Sequence, residues 1–245
     1  MCFHTSAFHK TKRVEKRFNV KLISEQIRDI FDQPHYHLNG FSHPNMLVIP
    51  QEKSDALAPG VWGIVPSNKK GNEIKDYYKE AIKYGGGLNA QSEKLFNHYL
   101  YRESALIRRC IIPVSGFFEP HEHLKKKYPF FIQNKAKEPL ALAGIYSVIE
   151  SYITFTILTK PASPFLEKIH NVKKRQPVIL NDDQIQNWLS QDLDYMDIKE
   201  MLKTQYPESQ LEAYAVDKAV FSPKLDSDIE TSIEKVIYPE LSNFN

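Results

Sequence analysis

The sequence predicts an α+β fold: a single compact domain over residues 1–245, with a twisted, mixed, barrel-like β-sheet and peripheral helices. Three features predict it. β-rich segments cluster between 110 and 159 with polar turns between them. Helical apolar spacing is confined to short stretches on either side. No linker is long or polar enough to divide the chain.

Along the chain, Val20, Ile23, Ile27, Ile30 and Phe31 recur at helical spacing and predict a helix over 20–32, ended by Pro34. Residues 35–44 read as a loop broken by Gly40 and Pro44. Short strands are expected at 46–50 and 61–65, the second stopped by Pro66, and then a polar turn at 68–72 carrying Lys69 and Lys70. A helix over 73–84 ends at Gly85-Gly86-Gly87, and a second runs over 93–102. Strands follow at 110–118, 129–133, 140–149 and 152–159. Asn181 or Asp182 can cap a short helix with Ile185, Trp188 and Leu189 inward; 196–203 is another helix, and 211–221 is strand-like again.

Hydrophobic residues make up 42% and charged residues 25%, the balance of an ordinary globular protein. A net charge of +2 does not by itself mark a nucleic-acid binder, so any basic surface must come from local clustering. Two cysteines, Cys2 and Cys110, cannot build a disulfide framework, and no Cys/His spacing suits zinc. No metal or cofactor is therefore expected. The first twenty residues lack the apolar stretch of a signal peptide, and no apolar run is long enough to span a bilayer, so a cytoplasmic protein without a membrane partner is expected, as a monomer.

Five features carry chemistry. Removal of Met1 would expose Cys2 as the N-terminal residue, with an amine (reference pKa about 8) and a thiol (about 8.5) on one skeleton. Such a pair can capture an aldehyde as a Schiff base and close it to a thiazolidine; taken alone, Cys2 reads more readily as an incidental residue at a frayed terminus. In Gly116-Phe117-Phe118-Glu119-Pro120, a carboxylate at the end of an apolar strand is placed to be partly desolvated, which suits acid–base work, as against a solvent-facing Glu beside a turn. His170 precedes the basic run Lys173-Lys174-Arg175 and could shuttle protons near a phosphate, or be a surface His in a charged loop. Asn89 lies after Gly87-Leu88 and could orient a reacting group, or cap a helix. Basic clusters at Lys69-Lys70, Arg108-Arg109, Lys125-Lys126-Lys127 and 173–175, with aromatics including Phe41 and Trp62, could grip a single strand, though charge runs are usually solvated turns and aromatics usually core.

In order and spacing these segments resemble the SOS-response-associated peptidase (SRAP) family. The likeness runs through Met1-Cys2, Trp62-Gly63 with Pro66, Leu88-Asn89-Ala90 with Glu93, Gly116-Phe117-Phe118-Glu119, Leu142-Ala143-Gly144-Ile145-Tyr146, 156–159 before His170, and Arg175 with Pro177-Val178-Ile179-Leu180. The resemblance implies single-stranded DNA containing abasic sites as partner, and Cys2 as the nucleophile of a covalent thiazolidine crosslink. It implies catalytic roles for Asn89, Glu119 and His170, and DNA contacts from Trp62, Lys69, Lys70, Gln91 and Arg175. Abasic-site lyase and self-processing activities are also implied.

Three positions depart from the family pattern: Phe3-His4 stands where Gly-Arg is common, Gln91 where an Arg is common, and the His170–Arg175 loop is longer. Two other readings stay open, an N-terminal-nucleophile cysteine peptidase and a non-covalent single-stranded DNA-binding module with an inert Cys2.

Overall fold

The computed structural model describes residues 2–244, with side chains described through Leu241. Thirteen strands form it: β1 (His4–Ala7), β2 (Lys21–Leu22), β3 (His35–Asn39), β4 (Asn45–Pro50), β5 (Ala56–Trp62), β6 (Asn89–Gln91), β7 (Arg109–Val114), β8 (Gly116–His123), β9 (Lys126–Asn134), β10 (Leu140–Ile149), β11 (Tyr152–Pro161), β12 (Arg175–Pro177) and β13 (Leu211–Ala215). Strands β11, β10, β7, β4 and β5 pair in sequence, and β5 returns to pair with β11 in parallel, closing a five-stranded barrel of mixed pairing. An antiparallel sheet in the order β13-β9-β8-β1-β3 packs beside it. The α+β fold with a barrel core and peripheral helices is thus as expected.

One residue, Ser115, separates the end of β7 in the barrel from the start of β8 in the second sheet. Its N–H donates to Ser6 O at 2.7 Å, tying the crossover to β1. Gly116 is required there, since a Cβ would fall 2.4 Å from the Phe131 ring.

The long apolar runs lie where the periodicity places them. β10 covers 140–149 as expected, β11 adds two residues to 152–159, and β9 encloses 129–133. Three short helices also match. Ile74–Ala81 sits within 73–84, flanked by 3₁₀ turns. Asp182–Trp188 is capped by Asn181, and Tyr195–Lys203 covers 196–203.

Elsewhere tertiary pairing overrides local pattern. The helix expected over 20–32 is instead a bridge at β2, a 3₁₀ turn and one α-turn (Arg28–Phe31), with Ile23 and Ile30 exposed. Lys21 and Leu22 pair with β5, and Arg28 turns inward to grip the buried Glu15 carboxylate at 3.0 and 3.1 Å. The real helix is Thr11–Phe18, where charged residues hide the Val14/Phe18 pair that is buried. The 35–44 loop contains β3, the 61–65 strand lies earlier as β5, and 93–102 divides into a 3₁₀ run and the helix Arg102–Ile107. The 110–118 strand is two strands, and 211–221 is β13 followed by a 3₁₀ turn.

Candidate active site

The site forms where β1 runs antiparallel to β8, with Thr5 opposite Phe117 and His4 opposite Phe118. Cys2 precedes β1 and is fully buried in the apolar cluster that also holds Trp62, Leu88 and Phe117. Met1 precedes Cys2 in the sequence, and as long as it is attached the Cys2 nitrogen is a peptide nitrogen. The Cys2 thiol donates to His4 O at 3.7 Å. Burial pushes this thiol well above its ordinary range, and the Glu119 carboxylate pushes it further. Cys110, the other unpaired cysteine, is buried between barrel strands, and burial raises its thiol too.

Glu119 is carried on β8 opposite Phe130 and is almost wholly buried. His170 reaches it from the end of the helix Pro164–Ile169, which starts with Pro at its first position, a residue that has no N–H to lose there. Two contacts clamp that helix end to β8. His121 Nδ1 meets the carbonyls of Lys168 and Ile169 at 3.1 and 3.2 Å, and the Asn171 amide bonds both the N–H and the carbonyl of Glu122 at 3.0 and 2.8 Å. His170 Nδ1 then lies 3.0 Å from Glu119 Oε2 and 2.8 Å from Arg175 O. A carbonyl oxygen can only accept, so Nδ1 carries the hydrogen.

Asn89 enters from the barrel. Trp62 pairs with Phe155 on one side of β11, and Asn89 pairs with Ile157 on that same parallel side, so β6 continues the line of β5. The intervening chain doubles back through Gly87, whose φ of +67° and close approach to Ile64 (a Cβ would lie 2.6 Å from Ile64 O) admit only glycine. The Trp62 indole N–H donates to Leu88 O at 2.9 Å and fixes the next residue, Asn89. Both polar atoms of the Asn89 amide are buried without a hydrogen-bond partner among the described residues. Asn89 is neither a helix cap nor a loop residue but a strand residue.

Of the residues expected to contact DNA, Trp62 is fully buried. Its ring supports Asn89, and truncation to Ala would cost about 3–5 kcal/mol of stability. Arg175 is a clamp: 12% exposed, it pairs through both terminal nitrogens with the Glu93 carboxylate and donates to Thr159 O at 2.8 Å. It thereby joins the segment after Asn89 to the segment after His170, and its charge is already answered. Gln91 is half-buried on β6 opposite Thr159. Lys70 is exposed, and Lys69 makes only a partly exposed 3.5 Å contact with Glu73, worth little against solvent.

Sequence reading passed over His37. His4 Nδ1 meets His37 Nε2 at 2.9 Å, and His37 Nδ1 meets Ser227 Oγ at 2.6 Å. The signal available was the alternation of His35 and His37, which puts two imidazoles on one side of a strand. Among the described residues, no group of three or more His, Cys, Asp or Glu could hold a metal ion, and no helix is long and apolar enough to cross a membrane.

A profile of the SOS response associated peptidase (SRAP) family matches residues 1–223. The abasic site processing protein YoaM of Bacillus subtilis is 30% identical over 226 residues, covering 86% of this chain and 94% of that protein. The abasic site processing protein YobE of the same organism is 30% identical over 234 residues, covering 92% and 98%. A crystal structure of a protein from Bacteroides thetaiotaomicron superposes with a TM-score of 0.82 at 26% identity, covering 96% of this chain and all of that one.

Proposed function

Because the chain belongs to the SOS response associated peptidase (SRAP) family, we propose that it processes abasic sites in single-stranded DNA by forming a covalent thiazolidine through Cys2 once Met1 is removed. The names of its relatives support the substrate. The observation that carries the chemistry is the buried Glu119–His170 pair beside the Cys2 thiol.

An abasic deoxyribose in its open form presents an aldehyde. The Cys2 amine adds to that carbon, and the carbinolamine loses water to give a Schiff base. The thiol then adds to the same carbon and closes the five-membered ring, so aldehyde plus cysteine gives thiazolidine plus one water. Amine and thiol belong to one residue, so the second addition is intramolecular and strongly favoured. A thiol held protonated by burial cannot close the ring unaided. Before that, His170 Nε2 can take the proton that the adding amine gives up and pass it to the departing water; at ring closure Glu119 is the nearby group to take the thiol's proton. The Asn89 amide, without a partner among the described residues, can bond the sugar hydroxyl or the carbinolamine oxygen. The same Schiff base opens a lyase route, in which a base removes a sugar proton and the 3′ phosphate leaves.

The test is a denaturing gel of purified, N-terminally trimmed protein with abasic and intact single-stranded oligonucleotides. A heat-stable adduct with the abasic strand alone, absent in Cys2→Ala, supports the proposal. Equal non-covalent retention of both strands with no adduct would leave a binding module, and cleavage of peptides in place of DNA adducts would leave a peptidase.

A further inference from the structure

His4 and His170 line one open cleft of about 410 Å³, together with the rings of Phe3 and Phe221 and the exposed Lys127 and Lys173. The volume is within the range of small-ligand sites. The walls differ in kind. Lys127 and Lys173 are cations suited to phosphates, although Glu122 stands opposite Lys127 in the strand register and offsets part of that charge. The inner wall is aromatic and uncharged: His4 stacks on His37 with centroids 5.0 Å apart, and Phe221 lies 5.0 Å from His4. Position 4 is also where the family commonly has an Arg, so an expected cation is replaced here by a ring.

The pair His4–His37 continues to Ser227 through contacts of 2.9 and 2.6 Å. Each contact needs one hydrogen, and that fixes a linked choice. If His4 Nδ1 donates to His37 Nε2, His37 Nδ1 donates to Ser227 Oγ, and His4 Nε2 is left as an acceptor. If the Ser227 hydroxyl donates to His37 Nδ1, His37 Nε2 donates to His4 Nδ1, and His4 Nε2 carries a hydrogen. Without any change of charge, the state that the relay favours thus sets whether His4 Nε2 offers a donor or an acceptor, and so which base edge it suits. Burial, with His37 adding for His4, lowers the two rings to about 3 and about 4, so at neutral pH neither attracts a phosphate.

An aromatic wall, a neutral switchable hydrogen-bonding atom and cations at the rim match an unpaired nucleobase with its phosphate. We infer that this cleft is a subsite for the base adjoining the abasic site, read by His4 through the relay His4–His37–Ser227. The inference rests on the DNA reading above and goes beyond it, because it makes the reaction depend on sequence context.

The experiment measures crosslinking rates of trimmed protein on eight abasic single strands, with each of the four bases placed in turn on the 5′ or the 3′ side of the lesion. At one side, the wild-type rates should spread by about five-fold or more, the scale of one net hydrogen bond. In His4→Ala, and in His4→Phe, which keeps a ring but removes both nitrogens, the favoured strand should fall to the rate of the others. In His37→Gln, which breaks the relay, the spread should narrow at least about two-fold. Adducts formed equally fast on all eight strands overturn the base subsite while leaving the abasic-site reading intact. A spread that survives in either folded His4 variant, or in full in His37→Gln, also overturns it. Absence of adducts on every strand overturns both.

Discussion

His170 Nδ1 lies 3.0 Å from Glu119 Oε2, with side chains only 5% and 2% exposed. Neither residue is near the other or near Cys2 in sequence. The second sheet brings β1 against β8, and the clamped helix end brings His170 onto β8, so a thiol, a carboxylate and an imidazole are gathered out of water. In such surroundings proton transfer between fixed groups needs little reorganisation.

Glu119→Gln and His170→Ala should each slow crosslinking by roughly 100-fold or more, the usual loss for a proton-transfer group. Affinity for intact single strands should stay within a few-fold, because neither side chain is exposed enough to grip the backbone. Single-turnover gels and fluorescence anisotropy separate the two quantities. Unchanged rates in both variants would remove the pair from the mechanism.

Cys2→Ala should abolish heat-stable adducts, and a tag left ahead of Cys2 should do the same, since it removes the free amine. A tagged protein that crosslinks as fast as the trimmed one would show that the α-amine is not the attacking group.

Asn89→Ala should lower crosslinking without lowering the melting temperature. The buried amide has no partner among the described residues, and an unsatisfied buried polar group costs about 1–3 kcal/mol, so its removal relieves a penalty. A variant that loses stability and activity together would mark Asn89 as a structural residue.

Backbone neutralisation should come from Lys69 and Lys70 and not from Arg175. Lys69→Ala with Lys70→Ala should flatten the slope of log K against log salt for single strands by about 1.4, or about 0.7 for each cation. Arg175→Ala, which breaks the Glu93 clamp, should lower the melting temperature and leave the slope nearly unchanged. A slope change in Arg175→Ala equal to that of a lysine would mean that Glu93 releases it on binding.

Acid should destabilise the fold early. Burial lowers His4, His9 and His37 from an ordinary 6.5 to about 3, about 4 and about 4. Below about 6.5 the unfolded chain binds protons that the folded one refuses, so the stability these groups contribute is full above that pH and is lost as pH falls towards their folded values. His35, raised by its bond to Asp228, works with the opposite sign and offsets a part. The melting temperature should fall between about pH 6.5 and about pH 4, and less steeply in His37→Gln. A flat profile in the wild type would contradict the burial of these rings.

By itself the sequence determined what depends on near neighbours. The apolar runs at 110–118, 129–133, 140–149 and 152–159 mark strands because β-branched and aromatic residues in short blocks between polar turns have few other ways to be buried. The chemistry of Cys2, Glu119, His170 and Asn89 follows from residue type and from family resemblance. Tertiary structure decided which elements meet. No local pattern specifies that β5 closes on β11, that Lys21 and Leu22 leave a helical spacing to join β5, or that residues 35–39 form a strand against β1. Pairing between distant segments is selected by the whole core, and a period of two or of 3.6 reports a buried face without naming what covers it. That is why Trp62 and Arg175, both plausible DNA contacts by type, are an internal support and an internal clamp, and why His37 becomes visible only when β3 lays it against His4.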